Sequence, residues 1–339
     1  DSLFMREYIA SELSKDAGLV VVGKAADPFE ASEKIMELNP DVMTLDIQMP
    51  RMNGIEFLRK LMPQYPLPVV VVSAVSSSVF DALNAGAVDF VTKTALKTEG
   101  DKRQFISELV VKIKIASIAK VGQHKHAGAK NKAAQKAADS RGKNCLIAIG
   151  ASTGGTQALQ EVLTRLGRSV PATVIVQHMP ANFTTAFAAR LNDLSQITVK
   201  EAQDNDSVTP GTALLAPGNF HMILRRSGGR YYVEVKTGPM VHHQRPAVDV
   251  LFKSTAKYAG ANAIGVILTG MGADGARGLR AMRDAGAGTL VQDEATSVVW
   301  GMPGAAVKLD AAQEILPLQD IAARIIALAW PEAAAGTEP

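Results

Sequence analysis

The feature that most constrains this chain is a repeated alternation of short apolar runs with amphipathic stretches. In the first 118 residues we expect four largely apolar strands, at residues 19–22, 42–45, 69–72 and 87–91. Helices are expected between and after them, at residues 30–38, 54–62, 79–85 and 105–119. Such strands suit a parallel sheet covered on both faces. The alternation therefore predicts a doubly wound α/β domain over residues 1–118.

Positive charge is concentrated in a segment that cannot form a core. Residues 111–143 carry nine Lys or Arg and one acid, whereas the whole chain has a net charge of only +3. No large apolar residue follows Val121 in this segment, so we interpret residues 119–143 as a basic flexible linker. A nucleic-acid-binding patch is the alternative; we favour a solvated tether and expect no nucleic-acid partner.

The strand–helix alternation resumes after the linker. Apolar strands are expected at residues 146–149, 173–176 and 264–268. Residues 209–235 are punctuated by Pro-Gly and Gly-Gly pairs, which predicts a β-hairpin insertion. We place a second doubly wound, mainly parallel α/β domain at residues 144–331 and a disordered tail at residues 332–339.

Cysteine usage and hydropathy bear on the compartment. The single cysteine, Cys145, cannot form an internal disulfide, so an oxidising compartment is not needed. No run of 18 apolar residues and no signal-peptide pattern is present. We expect a cytoplasmic protein without direct membrane insertion.

Polar side chains follow three predicted strands of the first domain. Asp46, Ser73 and Lys93 each stand where an apolar run ends, and Asp1 would end a further strand if residues preceded it. The carboxyl ends of parallel strands meet at one edge of the sheet. A carboxylate nucleophile, a hydroxyl and an ammonium group at that edge predict an aspartyl-phosphate site. The alternative is that Asp46 only caps the following turn.

These residues lie in motifs that resemble response-regulator receiver domains, which have a flavodoxin-like fold. The motifs are residues 45–54 (LDIQMPRMNG), 72–74 (VSA) and 86–93 (GAVDFVTK). The resemblance implies that Asp46 is the phosphorylation site, Ser73 the switch hydroxyl and Lys93 a phosphate contact. It further implies Mg²⁺ bound by Asp1, Asp46 and the Gln48 carbonyl, and a histidine kinase as phosphodonor.

The chain departs from the receiver pattern at two places. It begins at the second of the two adjacent acids that usually end the first strand, so that strand is missing, and we expect further residues upstream. Thr94 stands where the family usually has proline, so the family's geometry is not carried over to the loop after Lys93, whereas the role of the lysine is.

A glycine-rich turn opens the second domain. Residues 150–154 (GASTG) match G-x-S-x-G, which exposes a serine hydroxyl between a strand and a helix. A phosphate-binding P-loop is disfavoured because Thr156 stands where lysine is needed, and Ala151-Ser152 breaks the dinucleotide fingerprint. A serine nucleophile or an ordinary strand–helix turn remain as alternatives for Ser152.

A nucleophilic serine needs a base and an orienting acid. Among six histidines, His178 closes the apolar run 173–177 at a strand end, which favours it as the base. Asp274 follows the strand at residues 264–268 within a loop of three glycines. It could cap the next helix or orient His178, and we favour the second role. The order Ser–His–Asp differs from that of α/β-hydrolases.

Four motifs of the second domain resemble the chemotaxis protein-glutamate methylesterases: residues 150–155 (GASTGG), 177–180 (QHMP), 216–222 (APGNFHM) and 268–275 (LTGMGADG). The resemblance implies a triad of Ser152, His178 and Asp274, with Thr153 and Met271 contributing to the oxyanion hole. It implies hydrolysis of glutamate γ-methyl esters on the cytoplasmic helices of chemoreceptors, and some members also deamidate glutamines. No cofactor is expected for the ester hydrolysis.

Three other functions remain to be compared. A receiver-linked transcription factor predicts a helix-turn-helix after the linker, where this chain alternates strands and helices. An inactive binding module would lack a triad residue, and all three are present. A nucleotide-binding enzyme would need the lysine that the turn at residues 150–155 lacks.

Overall fold

The structure is a computed structural model that describes residues 2–49, 51–74, 76–93, 98–122 and 145–330. The chain divides into two compact units, Asp1–Lys125 and His126–Pro339. The linker predicted at residues 119–143 lies mostly outside the described residues, and the tail at residues 332–339 lies wholly outside them. The domain boundaries therefore stay predictions. Each helix of the described residues is too short or too polar to cross a lipid bilayer.

The described part of the first unit holds a parallel three-stranded sheet in the order β1-β2-β3. The strands are β1 (Met43–Asp46), β2 (Val69–Ser73) and β3 (Asp89–Thr92). The helices are α1 (Leu3–Leu13), α2 (Pro28–Leu38), α3 (Gly54–Leu61), α4 (Ser76–Asn84) and α5 (Glu99–Ala116). Sequence signals explain the start of α2, since the Asp27 side chain accepts from the N–H groups of its first turn and Pro28 is its first residue.

Register brings the polar strand ends of the first unit to one edge. Asp46 lies opposite Val72, and Ser73 lies opposite Thr92, the residue before Lys93. The central strand β2 is buried along its whole length, as expected for a continuously apolar parallel strand.

The strand predicted at residues 19–22 is wrong. These residues have no regular secondary structure, and Val20 and Val22 are 84% and 50% exposed. A strand needs a neighbour for its backbone hydrogen bonds, and the described sheet of this unit begins at β1. Residues 19–25 instead line, together with Leu45 and Val72, a cavity of about 280 Å³.

The described part of the second unit contains a seven-stranded sheet in the order β12-β11-β10-β4-β5-β7-β6, parallel throughout. Its strands are β4 (Leu146–Ala151), β5 (Ala172–Gln177), β6 (Thr198–Glu201), β7 (Thr212–Leu215), β10 (Ala263–Ile267), β11 (Gly288–Gln292) and β12 (Glu314–Leu316). The helices are α6 (Gly155–Leu163), α7 (Phe183–Leu194), α8 (Val248–Tyr258), α9 (Ala276–Asp284), α10 (Gly301–Lys308) and α11 (Leu318–Ala329). The predicted α/β class with mainly parallel sheets is confirmed.

The predicted insertion at residues 209–235 is only partly a hairpin. Strands β8 (His221–Ser227) and β9 (Arg230–Lys236) form an antiparallel pair that turns at Gly228-Gly229. The first part of the predicted insertion, strand β7, belongs instead to the parallel sheet, where it pairs with β5. The hairpin is anchored to α8, because the N–H of Leu224 donates to the Ser254 hydroxyl at 2.9 Å.

Candidate active site and phosphoacceptor site

Ser152 lies on the tight connection between β4 and α6. Its N–H donates to the carbonyl of Thr269 at 3.0 Å, and its own carbonyl accepts from the N–H of Gly155 at 2.7 Å. Gly154 has a φ of +77°, and a Cβ there would come within 2.7 Å of Val298 Cβ. The turn therefore requires glycine at this position, and it leaves the serine side chain half-buried at the sheet edge.

The sheet places the other two predicted triad residues on either side of Ser152. Strand β4 lies between β5 and β10. His178 follows β5, and its N–H donates to the carbonyl of Ala151 at 3.1 Å. Asp274 lies in the loop after β10, where a Cβ added to Gly270 would lie 2.7 Å from Ser152 Cβ. Three neighbouring strands thus deliver the serine, the imidazole and the carboxylate to one edge.

His178 and Asp274 form a buried pair. The Nε2 atom of His178 lies 2.8 Å from Oδ2 of Asp274, and the two side chains are 6% and 2% exposed. The same carboxylate accepts backbone N–H groups from the start of α8, Val248 to Oδ2 at 2.7 Å and Asp249 to Oδ1 at 2.9 Å. Because Nε2 is used by Asp274, Nδ1 is the ring nitrogen that can exchange a proton with a nucleophile.

The charge state of Asp274 follows from these contacts. Burial by itself raises the pKa of Asp274, but the hydrogen bond and the charge of His178 lower it, as do the two backbone N–H groups. The lowering contributions prevail, so the pKa of Asp274 lies below its ordinary value of 3.8. The carboxylate is ionised at neutral pH and orients the imidazole.

The two predicted oxyanion residues flank the serine turn. Thr153 is 6% exposed, and its carbonyl accepts the Thr269 hydroxyl at 3.0 Å. Met271 follows Gly270 and is 43% exposed. Their part in an oxyanion hole stays a prediction.

Two residues that support the site escaped the sequence interpretation. The amide Nε2 of Gln177 donates to the carbonyl of Ser152 at 2.9 Å and to that of His178 at 3.1 Å. Thr269 binds the turn through both its carbonyl and its hydroxyl. A buried polar residue at the end of each otherwise apolar strand was the available signal.

The first unit brings together the predicted phosphoacceptor residues that the structure describes. Lys93 Nζ forms an ion pair with Oδ2 of Asp46, and the N–H of Gln48 donates to Oδ1 at 3.2 Å. The N–H of Lys93 also donates to the carbonyl of Ser73 at 2.9 Å. The predicted ligand Asp1 and the unusual Thr94 lie outside the described residues.

The chemistry of this cluster fits a magnesium ion. Asp46 and Gln48 offer a carboxylate and a backbone carbonyl, which are the oxygen donors that Mg²⁺ prefers. The half-buried Asp46 carboxylate already holds a cation, the Lys93 ammonium. Asp46 and Gln48 would hold the metal, which would supply positive charge for phosphoryl oxygens.

Comparisons with known proteins agree on both units. The sequence model of the CheB methylesterase family matches residues 147–325, and that of the response regulator receiver domain matches residues 1–103. The chain is 56% identical over 335 residues, 96% of each chain, to the protein-glutamate methylesterase/protein-glutamine glutaminase 2 of Syntrophus aciditrophicus. It is 53% identical to the protein of that name from Syntrophomonas wolfei, over 95% of this chain and 93% of the relative.

The second unit is also similar to a solved structure of a CheB methylesterase domain. The catalytic domain of the Thermotoga maritima CheB methylesterase superposes with a TM-score of 0.54 at 36% sequence identity. The match covers 55% of this chain and 98% of that domain.

Proposed function

Because this chain belongs to the CheB methylesterase family and carries a receiver domain, we propose that it hydrolyses glutamate γ-methyl esters on chemoreceptors under phosphorylation control. The observation that carries the proposal is the buried His178–Asp274 pair, 2.8 Å apart, with the half-buried Ser152 on the turn that follows the intervening strand β4. A serine between a base and an orienting acid is the arrangement of acyl transfer through a covalent intermediate.

The reaction follows from the protonation states. The hydroxyl oxygen of Ser152 attacks the ester carbonyl carbon while its proton passes to Nδ1 of His178. Asp274, ionised and bonded to Nε2, stabilises the imidazolium that forms. The bond between the carbonyl carbon and the methoxy oxygen of the tetrahedral intermediate then breaks. The methoxy oxygen takes the proton from His178 and leaves as methanol, and Ser152 remains acylated. Water, deprotonated by His178, then attacks the acyl carbon. The bond to the Ser152 oxygen breaks, that oxygen takes the proton back from His178, and glutamate is released.

An oxyanion is the charge that develops on the carbonyl oxygen. Donors fixed at that position lower the barrier more than donors that must reorganise, and removing one typically costs about 10²–10³-fold in rate. The start of α6 supplies backbone N–H groups beside Ser152. Thr153 and Met271 are proposed to contribute here.

The same residues can act on an amide. The relatives named above are also called protein-glutamine glutaminases. In an amide substrate, His178 can protonate the nitrogen as its bond to the carbonyl carbon breaks, so that it leaves as ammonia. We propose receptor glutamines as a second substrate of Ser152.

The receiver residues are proposed to control this activity. Asp46 would accept a phosphoryl group from a histidine kinase, Lys93 would contact the phosphate, and Ser73 would act as the switch hydroxyl. Magnesium at Asp46 and Gln48, with Asp1, would neutralise charge during the transfer. The partners are thus a chemotaxis histidine kinase and methylated chemoreceptor helices.

The test is methanol release from membranes that carry methylated chemoreceptors, with and without a small-molecule phosphodonor and Mg²⁺. We expect Ser152→Ala to lose about 10³-fold or more of the rate. The matched control is Ser195→Ala, because the Ser195 hydroxyl, at the end of α7, is buried without a hydrogen-bond partner among the described residues. We expect Asp46→Asn to abolish stimulation by the phosphodonor and to leave the unstimulated rate intact. Equal release by the parent protein and Ser152→Ala would refute the serine mechanism.

A further inference from the structure

Asp249 is a buried carboxylate outside the proposed triad. It lies in the first turn of α8 and is 1% exposed. An ionised carboxylate is costly to bury unless charges or hydrogen bonds compensate for the lost water. Its contacts therefore indicate what the fold uses it for.

Asp249 and Asp274 cap each other's helices. The N–H of Asp249 donates to Oδ1 of Asp274 at 2.9 Å. In return, Oδ1 of Asp249 accepts the N–H of Gly278 at 2.7 Å. Gly278 lies in the first turn of α9, the helix that begins two residues after Asp274. Each helix start thus binds a carboxylate supplied by the other, where unpaired N–H groups and the helix dipole favour negative charge.

This exchange depends on a close approach of the two helices. A Cβ on Gly278 would lie 2.6 Å from Phe252 Cβ and 3.1 Å from Oδ1 of Asp249. Real Cβ atoms do not tolerate the first of these distances, so any larger residue must push α9 away from α8. Glycine at this position is what lets Asp249 reach the start of α9.

The remaining oxygen of Asp249 faces an imidazole and an ammonium group. Oδ2 lies 3.3 Å from Nε2 of His242 and 3.3 Å from Nζ of Lys253. Ligand atoms of His242, Asp249 and Asp274 lie within 4.8 Å of one another, a spacing that could suit a metal ion. The carboxylates, however, already accept N–H groups at the positive ends of two helices, and the Lys253 ammonium lies beside one of them. These donors compensate the negative charge, so a metal ion is not needed there.

We propose that Asp249 is a positioning residue for the esterase, an inference that rests on the proposed function. By joining α8 to α9, it fixes the two N–H groups that hold Asp274, and through Asp274 it fixes the orientation of His178. Displacement of a catalytic group by about 1 Å can cost about 10²-fold in rate. The contribution of Asp249 should therefore appear in kcat and leave KM nearly unchanged.

The test compares Asp249→Ala and Asp249→Asn in the full chain, with kcat expressed per Ser152 titrated by a fluorophosphonate. Asparagine keeps an oxygen for the Gly278 N–H, so we expect that variant to retain kcat within about tenfold, whereas alanine loses about 10²-fold. A purely structural role would lower the number of titratable sites and leave kcat per site unchanged, which would overturn the proposal. His242→Gln is the control, because its contact is long and half-exposed, and we expect less than about a threefold change.

A second variant and a second readout keep the test decisive. Gly278→Ala leaves both carboxylates in place but separates the helices, and we expect the same loss of kcat as for Asp249→Ala. The low-field proton resonance of the His178–Asp274 hydrogen bond should broaden or shift in both variants and stay unchanged in Ser152→Ala. If the parent protein releases no methanol, the proposed function fails, while this resonance still tests Asp249. An unaltered resonance in both variants would refute the positioning role.

Discussion

Replacing Asp274 by asparagine perturbs the site at the point where three donors converge. The carboxylate accepts from Nε2 of His178 and from the N–H groups of Val248 and Asp249. An asparagine side chain has one oxygen and one amide nitrogen, so at least one of these donors then faces another donor. The substitution also removes the negative charge that, in the proposed mechanism, stabilises the imidazolium during proton transfer.

The contacts set the magnitude of the effect. A hydrogen bond to a charged group contributes about 1.5–3 kcal/mol, and the substitution weakens the one to His178 and disrupts at least one other. A loss of about 4 kcal/mol of transition-state stabilisation corresponds to a fall of about 10³-fold in kcat. We expect KM for the receptor ester to change less than about threefold, because the Asp274 side chain is only 2% exposed and is not expected to contact the substrate.

Asp274→Asn should also change the free energy of unfolding in a pH-dependent way. Because the pKa of Asp274 is lowered in the folded protein, its ionised form stabilises the fold at pH values above the unfolded pKa of about 4. This contribution is lost as pH falls through the lower folded pKa. We therefore expect Asp274→Asn to lower the free energy of unfolding of the second unit by about 2–4 kcal/mol at pH 7. The difference from the parent protein should shrink below pH 4.

Methanol release at several ester concentrations measures kcat and KM. Urea unfolding followed by circular dichroism measures the free energy of unfolding. Asp284→Asn is the matched control, since that acid lies at the end of α9, is 56% exposed and, among the described residues, pairs only with the side chain of Arg280. We expect it to change neither kcat nor stability measurably. An Asp274→Asn protein that keeps a third or more of the parent kcat would refute the triad.

Two further predictions concern the surroundings of Ser152, and a third concerns Cys145, which lies just before β4. Gln177→Glu replaces the amide donor shared by the carbonyls of Ser152 and His178 with an acceptor, so kcat should fall at least about 10²-fold. Gln177→Met should lower kcat less, and a larger loss of methanol release in Gln177→Met than in Gln177→Glu would contradict this reasoning. Gly270→Ala places a Cβ about 2.7 Å from Ser152 Cβ, so fluorophosphonate labelling of Ser152 should slow at least about tenfold, and an unchanged rate would count against it. Burial raises the pKa of Cys145 to about 11, so at pH 7.5 iodoacetamide should alkylate Cys145 far more slowly than it alkylates the thiol of glutathione. Mass spectrometry would measure the alkylation, and esterase activity should not be lost.

Much of the fold and of the site could be predicted from local sequence signals. Continuously apolar runs mark β2, β4 and β5 correctly because buried parallel strands need no alternation. A polar residue directly after such a run predicts a position at the carboxyl edge, which is where Ser152, His178 and Lys93 lie. The family inferred from the motifs is confirmed, and the contact between His178 and Asp274 is present at the distance a triad needs.

The failures share a physical cause, since each depends on partners distant in the chain. Residues 19–22 have the composition of a strand, but strand formation requires a neighbouring ladder. The position of β7 in the sheet was missed because its turn-rich flanks gave the stronger local signal. Asp249 sits in an ordinary amphipathic helix, and only tertiary contact with Gly278 identifies it as more than a surface acid.

The proposed triad residues follow β4, β5 and β10, three adjacent strands of one hydrogen-bonded sheet. Core strands of this kind are usually the last part of a domain to open, as hydrogen exchange shows in other proteins. Catalytic competence in this domain should therefore share the cooperativity of global unfolding. On mild warming, each molecule that remains folded should stay fully active. The measured bulk rate should therefore be proportional to the number of folded molecules until the whole domain unfolds.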